Sequence, residues 1–174
     1  LIPALAGMIA SNMFHVAIGS RVADRKAMAR GMPMYKYLFN RLWTRAQNLC
    51  LRQHLSEYHT GFRAFSREFL LSIPLLENSN DFLFDNQVLV QAVYFGYAIG
   101  EISAPSRFLP ESSSINPWRG TLYGFGVIAT CLQYLMHRTH LKKVPIFNPK
   151  GRGLKNNRQP VPVYQRPESL PLRS

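Results

Sequence analysis

The sequence predicts an α/β domain, and three observations carry that expectation. A β-rich apolar run, Phe14-His15-Val16-Ala17-Ile18, stops at Gly19-Ser20, as a strand does at the edge of an α/β sheet. A run from Met34 to Leu51 then places apolar residues at helical spacing. A second extended segment, "YAIGEISAPSRF", follows a further helical run. With 47% apolar residues among 174, the chain has the material for one real core.

The elements follow in order. Leu1 to Ser11 reads as a short helix, and Phe14 to Ile18 as the first strand. Ala23 to Gly31 is polar and basic, and is expected to be mobile. Pro33 suits a helix start. In the helix from Met34 to Leu51, Tyr35, Leu38, Phe39, Leu42 and Trp43 form the main stripe, with Lys36, Asn40, Arg41 and Arg45 away from it. "LSEYHTGFRAFSREFL" comes next: Gly61 ends a loop, Phe62 to Phe65 is a short strand, and Ser66 caps a helix carrying Glu68 in its first turn. Leu75 to Asn80 is a loop. Asp81 or Asp85 begins the helix through "NQVLVQAVYFG", which Gly96 closes. After the extended "YAIGEISAPSRF" and the polar loop "LPESSSINPW", Arg119 to His140 forms a second long helix. From Pro145 the composition turns to Pro, Gly, Asn and basic residues, so 142–174 is expected to be a disordered basic tail behind a folded unit of residues 1–141.

Lys and Arg number 21 against 9 Asp and Glu, a net charge of +12. Such a surplus favours anionic partners. Its distribution narrows them. One basic group lies between Arg21 and Arg67, another runs from Arg138 onward, and Leu70 to Gly100 carries no Lys or Arg. That gap breaks any continuous basic stripe, and no nucleic-acid motif is present, which argues against nucleic acid as a partner. Arg119 to His140 is too short and too interrupted by glycine for a membrane span. Two readings stand for it: a core helix that closes the domain, or an interfacial helix whose aromatics insert while Arg138, Lys142 and Lys143 meet headgroups. Cys50 and Cys131 each sit in an apolar helical run and are expected to be free thiols in a reducing compartment. The protein is accordingly expected in the cytoplasm, at the cytoplasmic face of a membrane if residues 119–143 lie on one. The start, Leu-Ile-Pro-Ala-Leu, reads as an internal point of a longer protein or as a processed or incomplete one.

The segments "VAIGSR", "GMPMYKYLFNR", "LSEYHTGFRAFSRE" and "YAIGEISAPSRF", followed by a Ser-rich loop and an amphipathic helix, together resemble family-2 glycosyltransferases. The nearest subgroup is the dolichyl-phosphate mannose synthase and undecaprenyl-phosphate sugar transferase type. The resemblance spans residues 1–141. It implies the C-terminal, acceptor-side half of a GT-A fold, without the N-terminal nucleotide-binding half. It further implies inverting transfer of a sugar from a nucleotide-sugar donor to a polyprenyl-phosphate acceptor, with a divalent metal, Mg or Mn. The family holds that metal through Asp-x-Asp, which this sequence does not contain. As given, the chain is expected to lack the metal site and most of the donor site, and to be inactive alone.

The implied reaction joins two anions, so fixed cations must neutralise the acceptor phosphate. A phosphate monoester is already nucleophilic near neutral pH and needs little help from a base. Arg21 directly follows the strand and Gly-Ser, at the carboxyl edge where α/β sites gather ligands, and the family has an Arg at the matching position. Lys36 and Asn40 share a helical face by their i, i+4 spacing, where the family commonly has Arg and Ser. Glu57 stands five residues before Phe62, where the family often shows an Asp, and is assigned as the catalytic hydrogen-bond acceptor or weak base. Gly61 would let the backbone approach the ligand. Arg63 either reaches a phosphate or pairs with Glu57. His59 either shuttles a proton or is merely a polar loop residue. Arg107 and Ser112 to Ser114 read as a lid or a plain solvated loop. The competing readings are a non-catalytic basic module that binds an anionic membrane or nucleic acid, and a truncated remnant without function.

Overall fold

A computed structural model describes residues 1–23, 32–104 and 117–154, with the backbone alone for 117–119. The lid expected at Arg107 and Ser112 to Ser114, and most of the segment Ala23 to Gly31, lie outside the described residues. The order of elements is α1 (Ile2–Ala10), β1 (Val16–Ser20), α2 (Met34–Leu51), β2 (Arg63–Phe65), α3 (Arg67–Ser72), α4 (Phe84–Tyr94), β3 (Ile99–Ser103) and α5 (Pro117–Arg138). The architecture is mixed α/β around a three-stranded sheet ordered β2-β1-β3.

Strand β1 is the centre of this sheet. It runs antiparallel to β2, with Ile18 opposite Arg63, and parallel to β3, with Ile18 opposite Glu101 and Ser20 opposite Ser103. All five of its residues are buried. A strand covered on both faces reads as a continuous apolar run rather than an alternating one, which is why "VAI" shows no polar partner positions. Because β1 and β3 are parallel, their carboxyl ends lie on the same edge of the sheet, and the segment between Leu55 and Phe62 lies along that edge. It is held there by hydrogen bonds to the Gly19 backbone. Gly19 N–H donates to Phe62 O at 2.8 Å, and Thr60 Oγ1 donates to Gly19 O at 2.8 Å. A Cβ on Gly19 would fall 2.8 Å from Phe62 Cδ1, so glycine is required where the loop lies on the strand. Gly61, the expected pivot, has nothing within 4 Å of where a Cβ would stand and does not have a positive φ. The close approach belongs to Gly19 instead.

The helices start and stop for local reasons. Ser66 Oγ accepts from Phe69 N–H at 3.1 Å, the cap expected for α3. Helix α4 begins at Phe84 with Asp85 in its first turn, where a carboxylate suits the positive end of the helix. Gly96 closes it at φ +76°, with Gly96 N–H donating to Val93 O and Tyr97 N–H to Ala92 O. Every residue of α4 from Asn86 to Ala92 is buried, so it is a central helix rather than an amphipathic surface one.

Helix α2 has the expected bounds but the opposite orientation. Its buried residues are Asn40, Thr44, Gln47 and Leu51, whereas Leu38, Phe39 and Leu42 are exposed. One polar row, Asn40, Thr44 and Gln47, faces inward because each of its groups has a partner, while Arg41 and Arg45 line the outer groove with Leu38, Phe39 and Leu42. Gln47 and Asn86 exchange two amide hydrogen bonds of 3.1 Å, and Thr44 Oγ1 donates to Asn40 Oδ1 at 3.3 Å.

The tail expected from residue 142 onward also needs correction at its start. Val144, Ile146 and Phe147 are buried, and Phe147 packs against Tyr94, Tyr134 and His137. Gln91 Nε2 donates to Ile146 O at 2.7 Å, and Arg152 pairs with Glu77 at 3.0 Å. Two apolar residues between prolines, Ile146-Phe147, outweigh the polar composition around them. Residues from 155 onward lie outside the described part. Phe147→Leu should therefore lower stability by about 1.5 kcal/mol, the loss of buried aromatic surface plus a small void. A denaturant melt checks this; an unchanged midpoint would place the segment outside the core.

Candidate functional site

The carboxyl end of β1, the segment 55–62 and one side of α2 meet at a single carboxylate. Glu57 is fully buried. Its Oε1 accepts from Arg21 Nε at 2.9 Å, from Arg21 Nη2, and from Asn40 Nδ2 at 2.8 Å. Its Oε2 accepts from the backbone N–H of Arg21 at 2.7 Å. Arg21 Nη2 also donates to His59 O at 3.0 Å. The guanidinium thus reads both the carboxylate and the backbone two residues beyond it. The Arg21 side chain keeps 30% of its surface exposed, while its partner has none.

Each element supplies one part of this arrangement. Strand β1 ends at Ser20, so Arg21 leaves the sheet edge with its N–H unpaired in the ladder and free for Glu57. Asn40 reaches the same carboxylate because α2 turns that polar row inward. Of the residues singled out in the sequence, Arg21, Asn40 and Glu57 are brought together. Lys36 lies one helical turn before Asn40, half-buried, and makes no hydrogen bond or ion pair among the described residues.

Two assignments change. Glu57 is not placed as a base: all its contacts are donors from the protein, and no surface of it is open to a ligand. It is a positioning residue that holds Arg21. Arg63 does neither of the things expected of it. Its guanidinium donates to three backbone carbonyls, Thr60 O at 2.6 Å, Tyr58 O at 2.8 Å and Asp85 O. Those bonds tie the 58–60 segment to the first turn of α4 and leave the side chain spent on structure. Burial lowers its pKa, against the pull of Asp85, Tyr123 and Glu57.

His59 faces away from proton chemistry at neutral pH. Burial drives its pKa down to about 4, opposed by Glu57 and reinforced by Arg63 and Arg21. Its Nδ1 lies 3.1 Å from Tyr123 Oη, and burial pushes that phenol up to about 12. Both groups are therefore neutral across the physiological range. The buried Nε2 of His59 has no partner among the described residues.

A second polar cluster beside the first was not legible in the sequence. Both oxygens of Glu101 lie 2.9 Å from the Ser56 N–H, and Ser56 Oγ lies 2.9 Å from Glu101 Oε1 and 2.7 Å from Ser20 Oγ. Glu101 is thereby an anchor for the start of the loop. Only the register that puts Ser20 and Glu101 on neighbouring strands reveals it.

Comparison of the chain with family models, curated proteins and solved structures found no match. The arrangement is therefore read from its own chemistry. No three His, Cys, Asp or Glu side chains come together among the described residues to hold a metal ion. Glu57 and Glu101, the two carboxylates nearest the sheet edge, have their oxygens taken up by Arg21, Asn40 and Ser56. These residues do not fit a divalent cation. What the cluster offers is a partly exposed guanidinium, fixed by a buried carboxylate and by the His59 carbonyl, with an ammonium one turn away from its neighbour Asn40. That suits the binding of an oxyanion.

Proposed function

We propose that this chain is the acceptor-side part of a glycosyltransferase of the polyprenyl-phosphate type, and that Arg21 and Lys36 receive the acceptor phosphate. The whole enzyme would move a sugar from a nucleotide-sugar to that phosphate with inversion. The observation that supports this most is the meeting of Arg21, Asn40 and Glu57 at the shared carboxyl edge of β1 and β3. An α/β sheet collects ligands at that edge.

In this reading Glu57 aims the guanidinium rather than moving a proton. A phosphate monoester needs its charge neutralised more than it needs a base. Arg21 is a poor probe of the idea, since removing it also breaks the cluster. Lys36 is the clean probe, because it makes no hydrogen bond or ion pair among the described residues.

The test is binding of a polyprenyl phosphate in detergent micelles, against the matching polyprenol as control. The phosphate should bind and the alcohol should not. Lys36→Ala should weaken phosphate binding about tenfold, the loss of one charge-assisted contact, with an unchanged melting temperature. Equal affinity for phosphate and alcohol, or no effect of Lys36→Ala, would overturn the assignment.

A further inference from the structure

Helix α2 turns its amphipathic pattern inside out. Side chains that a surface helix normally hides are outside: Leu38 is 58% exposed, Phe39 51% and Leu42 58%. Helix α5 packs beside it, with Gly124 set against the Trp43 ring. It adds a second exposed stripe, Leu122 at 63%, Phe125 at 67% and Leu132 at 54%. The stripe repeats at intervals of three and seven residues, so it holds to one side of α5. Two neighbouring helices thus each present an apolar row. Scattered exposed leucines need no explanation; paired rows on packed helices do.

The charge around these rows says what covers them. Neither α2 nor α5 contains an acidic residue. Arg41 and Arg45 border the same groove as Leu38, Phe39 and Leu42. Arg138, Lys142 and Lys143 are exposed where α5 ends. A second copy of this chain would bring the same acid-free, basic-edged surface against itself, so self-association is disfavoured by charge. A lipid surface with anionic headgroups meets both requirements at once: acyl chains take the leucines and phenylalanines, and headgroup phosphates take the arginines. No helix among the described residues is long and apolar enough to cross a membrane, so the contact is one of lying on the surface.

We propose that the α2–α5 face is a docking surface for an anionic bilayer, with α2 contributing as much as α5. The proposal rests on surface chemistry and does not need the glycosyltransferase reading.

Co-sedimentation with phosphatidylcholine vesicles, with and without about 30% phosphatidylglycerol, tests it without any polyprenyl phosphate present. The full chain should bind the anionic vesicles and bind neutral ones far less, and rising salt should weaken the anionic binding. Leu42→Ser and Phe125→Ser change exposed side chains and should leave the circular dichroism spectrum unchanged, yet each should cut vesicle partitioning about tenfold. The pair Arg41→Gln and Arg45→Gln should abolish the preference for anionic over neutral vesicles. Equal binding to both lipids by the unaltered chain would overturn the charge argument. A dimer in solution that dissociates on Leu42→Ser, with no vesicle binding, would assign the face to a second copy instead. A monomer that ignores both vesicles would also overturn the proposal.

Discussion

Arg21→Ala should destabilise the fold by about 4 kcal/mol, the cost of leaving a buried carboxylate without its counter-ion. Glu57 has no exposed surface and receives its charge-balancing bonds from the Arg21 side chain. After the substitution only the Asn40 amide and one backbone N–H remain, both neutral. The expected order of variants follows from that asymmetry. Glu57→Gln alone keeps the shape of the side chain and leaves a guanidinium that is 30% exposed and still reaches water, so it should cost less than Arg21→Ala. The double variant Arg21→Ala, Glu57→Gln should be more stable than Arg21→Ala alone, because the second change removes the stranded charge. Chemical denaturation of the three variants measures this. Simple additivity would mean that the two side chains do not depend on each other, and that Glu57 is not what fixes Arg21.

This pair was half legible in the sequence. Arg21 could be placed at the end of a strand because "VAI" followed by Gly-Ser is a local signal, and the structure puts it there. Glu57 is singled out only because the resemblance implies an acid five residues before Phe62, and the partner weighed for it is Arg63, since a resemblance says nothing about what the carboxylate faces. Whether an acid acts on a ligand or holds an arginine depends on its burial, and burial is a tertiary property.

Helix α2 teaches the same lesson more sharply. Periodicity placed Met34 to Leu51 on a helix, but it grouped Asn40, which is buried, with Arg41 and Arg45, which line the same outer groove as Leu38, Phe39 and Leu42. It could not say which side meets the core. The usual rule sends leucines inward, but Gln47 finds Asn86 and Asn40 finds Glu57, so that polar row is satisfied indoors. Both partners lie far along the chain. The inward docking of Ile146 and Phe147 was hidden for a different reason: composition averages over a window, and two apolar residues among prolines and asparagines disappear in the mean.

Arg63 gives the other large effect. Arg63→Lys should cost about 4 kcal/mol, although the charge is kept. The guanidinium spans three carbonyls that come from two places, Tyr58 and Thr60 in the loop and Asp85 in the first turn of α4. Each is an acceptor within the protein, and leaving one unpaired costs about 1–3 kcal/mol. A lysine presents its donors from one nitrogen on a flexible stem, and cannot face a planar fan of acceptors as a fork does. At least two carbonyls would lose their partner, and a buried ammonium would be held less well than the guanidinium it replaces. The loop that carries Glu57 and His59 would then be released from α4, so the damage should spread to the Arg21 cluster. Hydrogen exchange offers a direct view: amides of 57–62 should lose protection in Arg63→Lys, while those of α1, which takes no part in the clamp, should keep theirs. If Arg63→Lys melts with the native protein and the loop stays protected, the three carbonyls are satisfied without the fork, and Arg63 is free for the phosphate after all.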